Sequence, residues 1–120
     1  MKAKSVLVIC THGTYGRNDD LYGALLVSNA SLAKGMKIAL VCVDDGVCVC
    51  KKNQNPAKIG LPNNSNELED FIELGGMLLV DGSSIIKRGI KEDELIDGAE
   101  IISFKNIGNV VKKYDISLTF

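Results

Sequence analysis

The 120-residue chain has no tryptophan, only three tyrosines and three phenylalanines, and a single histidine, His12. So few rings leave little to sandwich a flavin, and any imidazole chemistry must belong to His12. Neither sign of charge is in surplus, with fourteen Lys and Arg against fifteen Asp and Glu. A nucleic-acid binder would gather a basic excess on one face, so nucleic acid is not an expected partner. Apolar runs such as Val6–Cys10 stop far short of the roughly 20 residues that cross a bilayer, and no membrane partner is expected. Met1-Lys2-Ala3-Lys4 leads straight into that run with no small-residue cleavage site, so it reads as the approach to a strand rather than a secretion signal. The expected compartment is the cytoplasm. A Gly-x-x-x-x-Gly-Lys-Ser/Thr phosphate loop and a nucleophile elbow are both missing, which removes the two commonest motif-borne chemistries of α/β proteins. No cofactor or metal is expected.

What is present describes one ordinary folded domain over residues 1–120. Hydrophobic residues make up 46% and charged residues 24%, a balance that excludes a disordered chain. Ser5–Cys10, Lys37–Val43 and Met77–Val80 are near-continuous apolar runs, the mark of strands covered on both faces. Ile101-Ile102 suggests a brief fourth strand and Ile116–Phe120 a fifth. Between them lie helical rhythms. Leu21, Ala24, Leu25, Ser28 and Leu32 share one stripe, closed by Gly35; Leu68, Phe71 and Ile72 share another, opened by Asn66 with Glu69 and stopped by Gly75-Gly76. Ser103 caps a last helix that places Phe104, Ile107, Val110, Val111 and Tyr114 on one face. Asn53–Ser65, with both prolines and several asparagines, is the longest irregular stretch and the candidate flap. Strand and helix alternate, so the expected fold is α/β: a three-layer α/β/α sandwich around a mainly parallel five-stranded sheet.

In such a sheet ligands bind beyond the carboxyl ends of the strands. Three loops qualify: Thr11–Asn18, Asp44-Asp45-Gly46 and Asp81-Gly82-Ser83-Ser84. The candidate ligand-binding residues are His12, Gly13, Tyr15, Gly16, Arg17, Asp44, Gly46, Gly82, Ser83 and Arg88. Glycines admit a ligand to the backbone, and Arg17 and Arg88 offer planar forks to an anionic metabolite or nucleotide. Turn-making explains the same glycines, and a loop histidine is as readily a hydrogen-bonded bystander as a base. Asp44-Asp45 could hold a divalent cation or cap the next helix.

The four cysteines are Cys10, Cys42, Cys48 and Cys50. Cys42, inside an apolar run, reads as a small buried hydrophobe. Cys48-x-Cys50 is neither the redox Cys-x-x-Cys nor a zinc pair; on a helix its two thiols point to different sides, and on a strand they share one. Either thiol is a candidate nucleophile, against simple packing.

The stretch Leu78–Ile90 with Arg88-Gly89-Ile90, the following Leu95-Ile96-Asp97-Gly98, the closing Leu118-Thr119-Phe120 and the opening Thr11-His12-Gly13-Thr14-Tyr15-Gly16 together resemble the DsrE/DsrF-like family over essentially the whole chain. The resemblance implies a small α/β protein of sulfur metabolism that assembles as a homo-oligomer (trimer or hexamer) or as a hetero-oligomer with related subunits, and that meets a sulfur-carrier protein partner. It also implies a persulfide-bearing cysteine at the end of the third strand. The matching position here is Asp81, and a carboxylate cannot hold a persulfide. The resemblance therefore implies a sulfurtransferase-like fold in a member without the usual thiol, resembling the family's non-catalytic subunits, unless Cys48, Cys50 or Cys10 has taken over.

Overall fold

The computed structural model describes residues 4–12, 20–59 and 64–120. Five strands, β1 (Ser5–Cys10), β2 (Lys37–Cys42), β3 (Met77–Asp81), β4 (Ala99–Ile102) and β5 (Ile116–Thr119), form one sheet in the order β4-β3-β2-β1-β5. Every neighbouring pair is parallel. The helices are α1 (Asp20–Ala33), α2 (Ser65–Glu73), α3 (Gly82–Lys87) and α4 (Phe104–Lys113), joined by 3₁₀ segments at Asp44–Cys50, Pro56–Ile59 and Glu92–Glu94. The expected α/β sandwich is the observed one.

Strand alternation divides the core in two. Val6, Val8 and Cys10 of β1, Ile38, Leu40 and Cys42 of β2, and Leu78 and Val80 of β3 pack with α1, α2 and Ile85 of α3. Leu7, Ala39, Val41, Leu79 and Ile102 point the other way, toward Ile107, Val110 and Tyr114. The topology explains this split. Three successive crossovers step the chain from β1 to β4 and lay α1–α3 on one face. The last connection returns to the opposite edge and lays α4 on the other.

Two details depart from the sequence reading. Phe104, the first residue of α4, is 81% exposed, so the covering stripe starts one turn later at Ile107. Val111 is exposed as well, because it lies one helical step of about 100° beyond Val110. The helix α2 begins at Ser65 with Asn64 at the N-cap position, which places Asn66 inside the helix where its side chain cannot cap. Part of the candidate flap is a 3₁₀ turn at Pro56–Ile59, and residues 60–63 lie outside the described residues.

Gly75, at φ +94°, supplies the left-handed turn that stops α2, and a Cβ on Gly76 would drive into the Phe71 ring. Phe71 is fully buried at the centre of the α2 stripe. Phe71→Ala is expected to cost about 3–5 kcal/mol in urea unfolding, a large share of the roughly 5–15 kcal/mol that holds a domain folded. A loss below about 1 kcal/mol would contradict this packing.

Candidate functional site

The carboxyl ends of β2 and β3 carry a connected polar cluster. Asp81 ends β3 in extended conformation and caps α3, and its Oδ2 accepts hydrogen bonds from Ser83 Oγ (2.8 Å), Ser84 N (3.1 Å) and Ser84 Oγ (2.6 Å). Ser84 Oγ in turn accepts from the Asp44 backbone N–H at 3.0 Å, which ties the start of the 3₁₀ segment to α3. Asp44 adopts φ +50°, a left-handed turn that Asp tolerates better than most side chains. Arg88, at the end of α3, donates through Nε and Nη2 to Asp45 Oδ1 (3.0 and 2.9 Å) and through Nη1 to the Ser84 carbonyl (3.2 Å). Gly82 lets the start of α3 approach β4 closely, since an added Cβ would lie 3.2 Å from Ile101 Cγ2.

Asp81 is only 7% exposed, and its second oxygen, Oδ1, is buried without a hydrogen-bond partner. Burial pushes this carboxyl up, but the hydrogen bonds from Ser84 and Ser83 outweigh it and hold the group below the usual carboxylate range. Asp81 is therefore an ionised carboxylate at neutral pH.

The four thiols fall into two environments. Cys10, Cys42 and Cys50 are buried together at the ends of β1, β2 and the 3₁₀ segment, with Cys50 Sγ 3.7 Å from Cys42 Sγ and Cys10 Sγ donating to the His12 carbonyl at 3.3 Å. Hydrogen bonding with Cys10 and Cys50, together with burial, pushes the Cys42 thiol well above its ordinary range. Cys48 is half-buried and lines an open depression of about 480 Å³ with Lys51, Asn53, Gln54, Asn55, Arg88 and Ile90. Burial pushes the Cys48 thiol up and the nearby Arg88 pulls it down; the net direction is up, away from a ready thiolate. The 3₁₀ conformation explains why Cys48 and Cys50 differ so sharply in exposure, since residues two apart on it face different sides.

The fold thus brings Asp81, Gly82, Ser83, Arg88, Cys48 and the Asp44 backbone to one rim. Gly46 is buried beside them for a packing reason: a Cβ there would collide with the Cys10 carbonyl oxygen. His12 is at the end of β1, two strands away from Asp81, with its Nδ1 3.2 Å from Thr11 Oγ1. Gly13, Tyr15, Gly16 and Arg17 lie outside the described residues. Sequence reasoning missed Asp45 as the partner of Arg88, for the pair is 43 residues apart and no local pattern links them. It also passed over Ser84 as the hinge of the cluster, although Asp-Gly-Ser-Ser after a strand is a readable capping signal. Among the described residues no three His, Cys, Asp or Glu side chains are grouped to hold a metal ion, and no helix is long and apolar enough to cross a membrane.

Two outcomes follow from this geometry. In the native protein, Cys48 is expected to react with a thiol reagent at least tenfold faster than the other three, which label only on unfolding; four equally fast thiols would contradict the buried cluster. Asp81 has its folded pKa depressed, so its stabilisation is complete above the unfolded value near 3.9 and is lost as pH falls through the folded one. Asp81→Asn should therefore cost about 1–2 kcal/mol at neutral pH, with the gap to wild type closing in acid. Chemical denaturation across pH checks this, and a gap that widens toward low pH contradicts it.

Comparison with known proteins identifies the family. The model of the DsrE/DsrF-like family matches residues 4–120. An uncharacterised protein of Methanocaldococcus jannaschii, MJ0989, is 35% identical over 113 residues, covering 94% of this chain and 96% of its own. Another from Methanopyrus kandleri, MK0008, is 30% identical over 115 residues, covering 96% and 93%. Among solved structures, YchN of Escherichia coli superposes with a TM-score of 0.85 at 24% identity, over 99% of this chain and all of that one. MTH1491 of Methanobacterium thermoautotrophicum, a protein of unknown function, does so at 0.68 and 16% identity, over 99% and 100%. At these identities the two structures speak to the fold alone, and the family match and the two relatives carry the assignment: the chain belongs to the DsrE/DsrF-like family.

Proposed function

We propose that this protein is a subunit of cytoplasmic sulfur relay that carries no sulfur of its own, Asp81 standing where sulfur-bearing relatives keep a cysteine. The observation that supports this is the β3–α3 turn itself. Its side chain at the strand end is an ionised carboxylate locked by Ser83 and Ser84, and a carboxylate offers no sulfur to form a persulfide. The half-buried Cys48 lies nearby, but its thiol is pushed up rather than activated, which weighs against a relocated carrier. A partner role needs surface for assembly, and the chain has exposed apolar side chains on several elements: Ile86 of α3 is 77% exposed, Phe104 at the start of α4 81%, and Ile116 and Leu118 lie open on the edge strand β5. The expected assembly is a homo-oligomer, or a hetero-oligomer with related subunits that do carry the thiol.

A second reading draws on the Cys48 depression. Lys51, Arg88 and three carboxamides around about 480 Å³ would suit a small anionic metabolite, with Arg88 already oriented by Asp45.

Treatment of the native protein with sodium polysulfide, followed by intact-mass measurement and cyanide release of bound sulfur, tests the proposal. The wild-type chain is expected to gain no cyanide-labile sulfur and to run as an oligomer on a sizing column. A stoichiometric sulfur that disappears in Cys48→Ser would instead make the chain a carrier through Cys48, and a dilute monomer would contradict the partner role. Thermal stabilisation by an anionic metabolite, lost in Arg88→Ala, would favour the second reading.

A further inference from the structure

The sheet ends in two strands with a single neighbour each, β4 and β5. Each presents a row of backbone N–H and C=O groups that no strand of this chain pairs. Such edges are ordinarily blunted by charge or proline, yet Ile116-Ser117-Leu118-Thr119 of β5 carries neither. It leaves Ile116 42% and Leu118 39% exposed instead.

The two edges are opposite in charge. Residues 91–100, which lead into and form most of β4, hold five acidic side chains against Lys91 alone. Residues 103–119, which form α4 and β5, hold three lysines against Asp115. Among the described residues, none of Glu92, Asp93, Asp97, Lys112 and Lys113 is engaged in an ion pair. The edges also match in shape. An open depression of about 410 Å³ lies beside β4, its lining including Ala99, Ile101 and the acids Glu92, Asp93 and Asp97, with Lys52 as its one cation. Ala99 and Ile101 stand in register with Leu78 and Val80, and Ile116 and Leu118 with Val6 and Val8. All four of those partners belong to the core layer under α1–α3. The open side chains of one edge and the apolar lining at the other therefore lie on the same face of the sheet.

We propose that β5 of one copy adds in parallel to the open edge of β4 in a second copy, with Ile116 and Leu118 entering the acid-lined depression. Charge sets the direction. A parallel addition with Ile116 beside Ala99 puts Leu118 beside Ile101 and Lys113 one residue from the position opposite Asp97. An antiparallel one carries Lys112 and Lys113 to the far end of β4, away from the acids. The proposal rests on the partner role above and deepens it by naming the surface through which copies meet. The contact is heterologous: a pair of copies still has one β4 and one β5 edge open, so addition goes beyond two and stops only where a ring closes.

Carbodiimide coupling of the wild-type protein, made as an equal mixture of isotope-labelled and unlabelled chains, reads the contact directly. Within one copy β4 and β5 are four strand spacings apart, about 19 Å, so an amide from Lys112 or Lys113 to Asp93 or Asp97 forms only between copies. Mixed-isotope peptides carrying that amide are expected. Charge reversal gives the second arm. Lys112→Glu/Lys113→Glu makes both edges acidic, and Asp93→Lys/Asp97→Lys makes both basic. Each variant alone is expected to run as a monomer on a sizing column, and an equal mixture to recover the wild-type mass, associating at least tenfold more tightly than either alone.

An oligomeric wild type that gives no such amide, with both variants keeping its mass, overturns the edge contact and leaves the partner role standing. Variants that dissociate and do not recombine on mixing overturn it as well. A wild-type chain that runs as a monomer removes both readings. Should a charge-reversed chain fail to fold, the wild-type coupling decides alone: the mixed-isotope amide upholds the contact and its absence excludes it.

Discussion

Three hydrogen bonds onto one oxygen of Asp81 organise the carboxyl end of this sheet. They start α3, they fix the rotamer of Ser84, and through Ser84 they anchor the Asp44 backbone and the 3₁₀ segment that follows. Arg88 closes the loop from the far end of α3, joining that same segment through Asp45 and α3 through the Ser84 carbonyl. The connection between β2 and β3 is thereby tied to the connection between β3 and β4. A single ionised side chain in this place replaces what would otherwise be unsatisfied N–H groups at a helix start.

The four thiols lie around that tie in two environments. Three of the four thiols are withdrawn into the core, where Cys42 is held protonated by its neighbours and by burial, and they pack as small apolar groups. Gly46 lets the 3₁₀ segment approach the end of β1, since a Cβ there would collide with the Cys10 carbonyl. The one thiol at the surface, Cys48, lies in a polar depression whose cationic wall is only partly able to offset burial. The chain thus has three buried cysteines near the rim and one, Cys48, whose half-buried thiol is pushed up by burial.

Much of the fold was legible. Runs such as Val6–Cys10 and Ile38–Cys42 alternate between two buried faces, which only a covered parallel sheet provides, and Gly35 and Gly75 mark helix ends through their left-handed backbones. Asp81 as a helix cap could also be read from Asp-Gly-Ser-Ser following an apolar run. What escaped depended on contacts between distant segments. The Asp45–Arg88 pair, the meeting of Cys10, Cys42 and Cys50, and the collision that makes residue 46 a glycine each join pieces that no local periodicity connects. Phe104 misled for a different reason: it has the right spacing for the α4 stripe but stands at its first residue, before the helix is seated over the sheet. The bare Oδ1 of Asp81 could not be foreseen either, because satisfaction of a carboxylate is a property of packing and not of sequence.

The charge state of Asp81 is the point on which the rest turns, and a direct titration of its side-chain carboxyl carbon by NMR measures it. An ionised group held by Ser83 and Ser84 should titrate below the ordinary aspartate value near 3.9, and Ser84→Ala should move its midpoint upward. A midpoint at or above that value, unmoved by the serine substitution, would mean that burial prevails over the hydrogen bonds and that the turn does not hold an anion.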